Sequence, residues 1–350
     1  MAAKLDSKMI HEQDVPRGLR YVSDEQPGFA RRRVGKKGFL YLDEHRERIV
    51  NEKTIQRIKD LVIPPAWEDV WICRFENGHL QVTGRDARDR KQYRYHETWT
   101  ENRNETKFQR LLLFGEKLPA IHARLEHDLR KHGLPKEKVL AAVVQVMDLT
   151  RIRVGNEIYT QENDSYGLTT IRNEHAKISG SKVRFRFRGK SGVMRDLSLN
   201  DARLSRIIKQ CQDLPGEELF CFEDEDGNAH DITSTDVNDY LKEISGEALT
   251  AKDFRTWGGT VKAIEVLSAM GPSLGDSLTA QKKRELEVVK AVAKHLGNTV
   301  TVCRKYYVHP TVFESDRQGV LHKKLKAVAR RSKAPEDLAR RLTLALLSVG

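Results

Sequence analysis

Cysteine is scarce in this chain: four in 350 residues, at Cys73, Cys211, Cys221 and Cys303. None forms a Cys-x-x-Cys pair, and no Cys/His cluster has the spacing of a zinc site. Neither a disulfide framework nor a bound metal is expected, and the reduced cytoplasm is the expected compartment. Long apolar runs are missing as well. The longest, Val139 to Met147, is broken by Gln145 and is far too short to span a bilayer, so no membrane partner is expected. No apolar segment follows the opening Met-Ala-Ala-Lys-Leu-Asp, which argues against a secretory leader. Acidic residues are in deficit: Asp plus Glu number 50 against 62 Lys plus Arg, for a formal net charge of +12. An excess of that size favours a polyanionic partner, because each phosphate neutralised releases a condensed counterion.

The length allows two domains, each with its own core. The first thirty or so residues are charged and unpatterned and read as a basic lead-in ending at Arg31-Arg32-Arg33. Short runs rich in aromatic and β-branched residues follow: Phe39 to Leu42, Val70 to Cys73 and His79 to Thr83, the last two joined through a turn at Gly78. A helical stretch, Glu52 to Leu61, lies between the first two and stops before Pro64-Pro65. Residues 1–105 therefore read as a small β-rich lobe, and 106–350 as a larger, mainly helical one. In the latter, helices are expected to begin at Pro119 and beside Pro135, with prolines in their first turns. Further helices are expected near 200–211, 234–244, 251–269 and 280–296, with two basic ones after Gln318. One β interruption is clear. Lys182 to Arg188 alternates Val183, Phe185 and Phe187 against four cations, turns at Gly189-Lys190-Ser191-Gly192, and returns from Val193 to Leu197 as a two-stranded hairpin. The fold class is α+β.

Cutting a phosphodiester without a metal needs a nucleophile, a proton donor for the leaving oxygen, and positive charge around the pentavalent phosphorus. Four segments offer these parts. Thr150 to Glu157 ends an apolar helix with Arg151 and Arg153, which alone would suit any solvated helix end. Lys190 sits on the hairpin turn, where lysines are ordinarily just exposed. Arg255 stands between Phe254 and Trp257, where a surface cation–π contact would account for it. Asn298-Thr299 reads as a helix N-cap, and Tyr306-Tyr307 as the far end of a short helix stopping before Pro310.

In this order and spacing the four segments resemble the type IB DNA topoisomerases, in their compact bacterial and poxvirus-like branch. The intervals are 37 residues from Arg153 to Lys190, 65 from Lys190 to Arg255, and 9 from Asn298 to Tyr307. The resemblance runs from about Gly38 to Phe313. It implies that Tyr307 attacks the scissile phosphate to give a 3′-phosphotyrosine and a free 5′-hydroxyl. Arg153 and Arg255 would clamp the non-bridging oxygens, and Lys190 would be the general acid for the 5′-oxygen. Asn298 stands where many members have histidine; asparagine can donate a hydrogen bond but carries no proton or charge, so an electrostatic role is implied. Supercoils of either sign would be relaxed without ATP or any required cofactor, with divalent ions at most stimulatory. The partner would be duplex DNA at the nucleoid, held by a monomeric clamp. Gln92, Tyr93 and Tyr95, in the stretch Arg90-Lys91-Gln92-Tyr93-Arg94-Tyr95, match N-lobe DNA contacts of the family, and Tyr159 matches a position that reaches base edges. Asn156 and Ile158 depart from lysines of the best-known viral members, so the viral cleavage preference is not carried over.

Two rivals remain at this level. A tyrosine site-specific recombinase shares the same catalytic parts, but usually places a histidine three residues before the second arginine, where this chain has Lys252. A non-catalytic DNA-binding protein on the same fold would not need the complete set Arg153, Lys190, Arg255 and Tyr307.

Overall fold

The structure is a computed structural model and describes residues 15–35, 38–273, 275–332 and 334–348, without the side chains of Glu105, Ile158, Tyr159, Pro335 and Glu336. Its contacts divide into two compact units, one ending at Lys107 and the other beginning at Phe108. Among the described residues, no helix is long and apolar enough to cross a membrane.

The first unit is an antiparallel sheet of β1 (Phe29–Val34), β2 (Gly38–Leu42), β3 (Glu68–Ile72), β4 (Leu80–Arg85) and β5 (Lys91–Tyr95), in the order β2-β1-β3-β4-β5. The helix α1 (Glu52–Asp60) is capped by Asn51, whose side chain accepts from the Thr54 N–H at 3.0 Å. It buries Ile58 with Val70, Ile72 and Val82 of the sheet. Arg31-Arg32-Arg33 is not a lead-in but the body of β1, paired to Tyr41, Leu40 and Phe39 of β2. The cause is polar satisfaction. The Pro64-Pro65 loop leaves carbonyls outside the ladder, and Arg31 donates to those of Ile63, Pro64 and Trp67 at 3.2, 2.9 and 2.7 Å. Arg33 donates to Pro65 at 2.8 Å.

The division between units falls inside α2 (Glu97–Asp128). This single helix passes through Pro119, where the sequence suggested a helix start. A proline inside a helix costs about 3 kcal/mol. Leu111, Phe114, Leu118, Ile121 and Leu125, all buried on both sides of it, offset that cost. The second unit continues with α3 (Lys136–Thr150), with Pro135 as N-cap, and α4 (Glu157–Asn163). Then come β6 (Ala176–Ser179), β7 (Lys182–Arg188) and β8 (Met194–Asn200), a three-stranded antiparallel sheet rather than the expected two-stranded hairpin. Val183, Phe185 and Phe187 face the core, and Lys182, Arg184, Arg186 and Arg188 face solvent. After α5 (Ala202–Gln212), a small ladder of β9 (Cys221–Glu223) and β10 (Ala229–Asp231) precedes six helices. These are α6 (Ser234–Ser245), α7 (Ala251–Met270), α8 (Leu278–Leu296), α9 (Val300–Tyr306), α10 (Pro310–Arg317) and α11 (Val320–Ala329), and α12 (Pro335–Leu347) closes the chain. The helix α9 stops before Pro310, as expected, and Pro310 occupies the first turn of α10, capped by His309, whose ring accepts from the Thr311 N–H.

Candidate active site

The site is built around α7. Its start is fixed by Thr250 and Asp253, the Asp253 carboxylate accepting from the Thr250 N–H at 2.8 Å. Two turns of the helix then present opposite faces. Phe254 is fully buried, edge-to-face on Phe114 with centroids 4.8 Å apart, and Trp257 packs on the same ring. Arg255 points the other way, so the surface cation–π reading of its aromatic neighbours does not hold. It is only 4% exposed and lies over the Tyr307 ring, 5.4 Å from the centroid. One terminal nitrogen donates to the Leu296 carbonyl at 2.9 Å and the other to the Arg151 carbonyl. A guanidinium carries five N–H donors, so these anchors fix the group and still leave donors for an anion.

The glycine pair that follows has a steric purpose. A Cβ on Gly258 would lie 2.7 Å from Cδ of Arg151, and one on Gly259 would lie 2.5 Å from the Tyr307 carbonyl oxygen. Thr260 Oγ1 completes the grip, donating to the Tyr307 carbonyl at 3.3 Å and accepting from the His309 N–H at 3.2 Å. Gly259→Ala is therefore expected to push Tyr307 off α7. The cost should be about 1–3 kcal/mol, seen as a lowered melting temperature, together with a drop of on the order of tenfold or more in the rate of covalent DNA capture. An unchanged rate would mean that this backbone approach is not what positions the phenol.

Arg153 is held by the loop after α3. The helix ends at Arg151 in a left-handed conformation, its side chain paired with Asp148, which also meets His122 at 2.8 Å. The next residues are pinned by the Leu168 N–H donating to the Arg153 carbonyl at 2.9 Å. Gly155 and Gly167 cross so closely that a Cβ on Gly167 would lie 2.5 Å from the Gly155 Cα. From this loop the Arg153 guanidinium donates to the Asn298 side-chain oxygen. Asn298 lies between the left-handed cap Gly297 of α8 and the N-cap Thr299 of α9. Its buried amide nitrogen stands near the Cys303 thiol but has no acceptor in good hydrogen-bond geometry.

Tyr307 caps α9, and its backbone has already left the helix. Tyr306, one residue earlier, is 37% exposed. Burial would raise the Tyr307 phenol, but the charges of Arg255 and Arg153, a hydrogen bond with Arg255 and the more distant Lys252 outweigh it and hold the group below its ordinary range. Burial, then the Arg153 charge, lowers the Arg255 guanidinium to about 10, so it stays cationic at neutral pH. No carboxylate pairs with Arg153 or Arg255 among the described residues, and Arg255 Nε has no acceptor. Buried donors and charges without partners are costly. A site carrying several of them is shaped for an anion.

The structure thus brings Arg153, Arg255, Asn298 and Tyr307 together. Lys190 is exposed on the turn between β7 and β8. The same hairpin delivers a residue the sequence reading missed, Arg195. It sits beside Arg153, on a strand where it is followed at once by Asp196 and no periodicity marks it. In the first unit, Gln92, Tyr93 and Tyr95 lie on β5. Tyr93 is 41% exposed and stacks on Tyr95 at 6.1 Å, while Gln92 donates to Asp86 at 2.9 Å. The Tyr159 side chain lies outside the described residues. Among the described residues, no group of three or more His, Cys, Asp or Glu is placed to hold a metal.

A family model described as Eukaryotic DNA topoisomerase I, catalytic core, matches residues 96–334, and one described as Bacterial DNA topoisomerase IB, N-terminal domain, matches residues 38–86. DNA topoisomerase 1B of Acanthamoeba polyphaga mimivirus is 33% identical over 286 residues, covering 80% of this chain and 85% of the relative. DNA topoisomerase 1B of Vaccinia virus (strain Copenhagen) is 23% identical over 311 residues, covering 88% and 87%. A solved structure of the XerH site-specific recombinase bound to difH substrate, a pre-cleavage complex, covers 59% of this chain at 15% identity and a TM-score of 0.35, too slight a likeness to argue from. The chain belongs to the type IB DNA topoisomerases. Its β-sheet N-terminal unit and its poxvirus and mimivirus relatives place it in the compact, bacterial and poxvirus-like form of that family.

Proposed function

We propose that the chain relaxes supercoiled duplex DNA by opening one strand through Tyr307, letting the duplex rotate, and resealing it. One observation carries this reading: the Tyr307 ring lies under the Arg255 guanidinium, 5.4 Å from its centroid, within the charge of Arg153 as well, and among the described residues neither arginine pairs with a carboxylate. Tyr307 gives up its phenol proton to solvent, and its Oη attacks the scissile phosphorus. The P–O5′ bond breaks, and a 3′-phosphotyrosine remains. Arg153 and Arg255 share the charge that builds on the non-bridging oxygens, and Asn298 adds a neutral donor from its amide. Lys190 gives its proton to the departing 5′-oxygen and takes it back when that hydroxyl attacks to reseal the strand. The phosphotyrosine bond stores the energy of the broken phosphodiester, so the scheme consumes no ATP, and every group in it is a side chain of this protein.

Both units engage the duplex, and the protein acts as a monomer at the bacterial nucleoid. Gln92, Tyr93 and Tyr95 meet the DNA from β5, with exposed Tyr93 the most direct contact, and Tyr159 is a further contact by its match to the family's base-reading position. Contacts to sugar and phosphate fix register, and contacts to base edges carry sequence.

The test is relaxation of supercoiled plasmid in EDTA. A ladder of relaxed topoisomers is expected. Strand exchange between paired sites with no ladder would replace this reading with a recombinase. Failure to trap a covalent adduct on a suicide substrate would leave only a DNA-binding protein.

A further inference from the structure

One half-buried side chain beside the site residues belongs to none of the four segments singled out above. Arg195 lies on β8, opposite Phe187 and five residues beyond Lys190 on the same hairpin. Two glycines make its path. Its Cγ passes over Gly189, where a Cβ would lie 3.0 Å away, and its guanidinium ends on Gly297, where a Cβ would overlap it, 2.6 Å from Cζ. Gly297 is flanked by two residues already in the site: Leu296, whose carbonyl holds Arg255, and Asn298. The tip of Arg195 is therefore delivered from the lysine hairpin to the turn that carries Asn298.

Its electrostatic position is unfavourable as the protein stands. Nη2 is buried and has no acceptor, and no carboxylate pairs with the group among the described residues. Its nearest charged neighbours include Arg153 and Arg255, like charges. A desolvated guanidinium beside two others is strongly unfavourable unless an anion joins them. The scissile phosphodiester is the anion this site exists to receive.

We propose that Arg195 is a third arginine of the phosphate site, whose Nη2 donates to a non-bridging oxygen of the scissile phosphate in cleavage and in resealing. This rests on the assignment of Tyr307 and Lys190 made above. The contact stabilises charge on the phosphorane and takes no part in proton delivery to the leaving oxygen.

That division of labour supplies the test. In single-turnover cleavage, Arg195→Ala should lose on the order of 10²-fold in rate, and Arg195→Lys should recover part of it. The same variants are then given a substrate with sulfur in place of the scissile 5′-oxygen. A thiolate leaves without a proton, so Lys190→Ala should be rescued on this substrate and Arg195→Ala should not. Rescue of Arg195→Ala to the extent of Lys190→Ala would reduce Arg195 to a prop for the hairpin and overturn the proposal. A wild-type rate for Arg195→Ala on the ordinary substrate would overturn it too. If Lys190→Ala itself is not rescued, the general-acid assignment fails, and the persistent loss in Arg195→Ala still stands on its own. Should Arg195→Ala not fold, Gly297→Ala keeps the charge but displaces the guanidinium. It should show the same unrescued loss, and normal cleavage by a folded Gly297→Ala protein would be evidence against the contact.

Discussion

Tyr307→Phe is expected to abolish covalent capture of DNA and plasmid relaxation while leaving the protein folded and able to bind duplex. Only Oη is removed. The ring still packs on the cluster formed by Val292, Leu296, Cys303 and Val312, and the backbone is still gripped by Gly259 and Thr260. Loss of one hydrogen bond with Arg255 should cost about 1 kcal/mol, a small shift in melting temperature. Without the nucleophile the rate should fall by at least roughly 10⁴-fold. Tyr306→Phe is the matched control. Tyr306 is exposed on the last turn of α9, whereas Tyr307 turns inward because the chain leaves the helix at that residue. Tyr306→Phe should cleave within about twofold of wild type, as surface substitutions usually do. A covalent adduct formed by Tyr307→Phe, or lost in Tyr306→Phe, would reverse the assignment.

The choice between these two tyrosines shows what could be read from the chain alone. The interval from Asn298 points to Tyr307, and the residues that seat its backbone lie in α7, some fifty residues earlier. Nothing in the sequence marks Gly258 and Gly259, after Arg255-Thr256-Trp257, as the notches into which Arg151 and Tyr307 fit. Close approach of backbones distant in sequence leaves glycines as its only trace. Arg195 escaped notice for a related reason. In Met194-Arg195-Asp196 it looks like one more cation on a solvated strand, and the glycines that seat it, 189 and 297, belong to other segments. Strands with an apolar face, such as β7, were legible from alternation. The strand β1 was not, because Arg31 and Arg33 are ordered by loop carbonyls that no periodicity reveals. The start suggested at Pro119 failed because burial along α2 outweighs the local penalty of a proline.

Arg255→Ala should be the most damaging change that leaves the nucleophile in place, and its effect should depend on pH. Three losses combine. The transition state loses a buried, fixed positive charge, worth on the order of 10²–10³-fold in cleavage rate. The carbonyls of Arg151 and Leu296 lose their donor in a buried setting, about 1–3 kcal/mol for each unsatisfied group, so the melting temperature should fall. The third loss acts through Tyr307. Arg255 is the largest influence holding the phenol down, by charge and by hydrogen bond, against a burial effect that pushes it up. Removing the arginine removes the stabilisation of the phenolate and leaves the burial, so the pKa of Tyr307 rises. At any given pH a smaller fraction is then ionised, and the rising limb of the cleavage profile moves to higher pH. Raising the pH should return part of the lost rate in Arg255→Ala and little in wild type, whose phenol ionises earlier. Arg255→Lys separates the terms, because a lysine keeps the charge near Tyr307 but cannot span both carbonyls and the phosphate with one planar fork. Its profile should stay close to wild type in position while its maximum rate stays low. Single-turnover cleavage of a suicide substrate across pH, with the three proteins side by side, decides the matter. If Arg255→Ala lowers the rate equally at every pH, the arginine acts on the phosphate alone, and the coupling between Arg255 and the ionisation of Tyr307 is absent from the reaction.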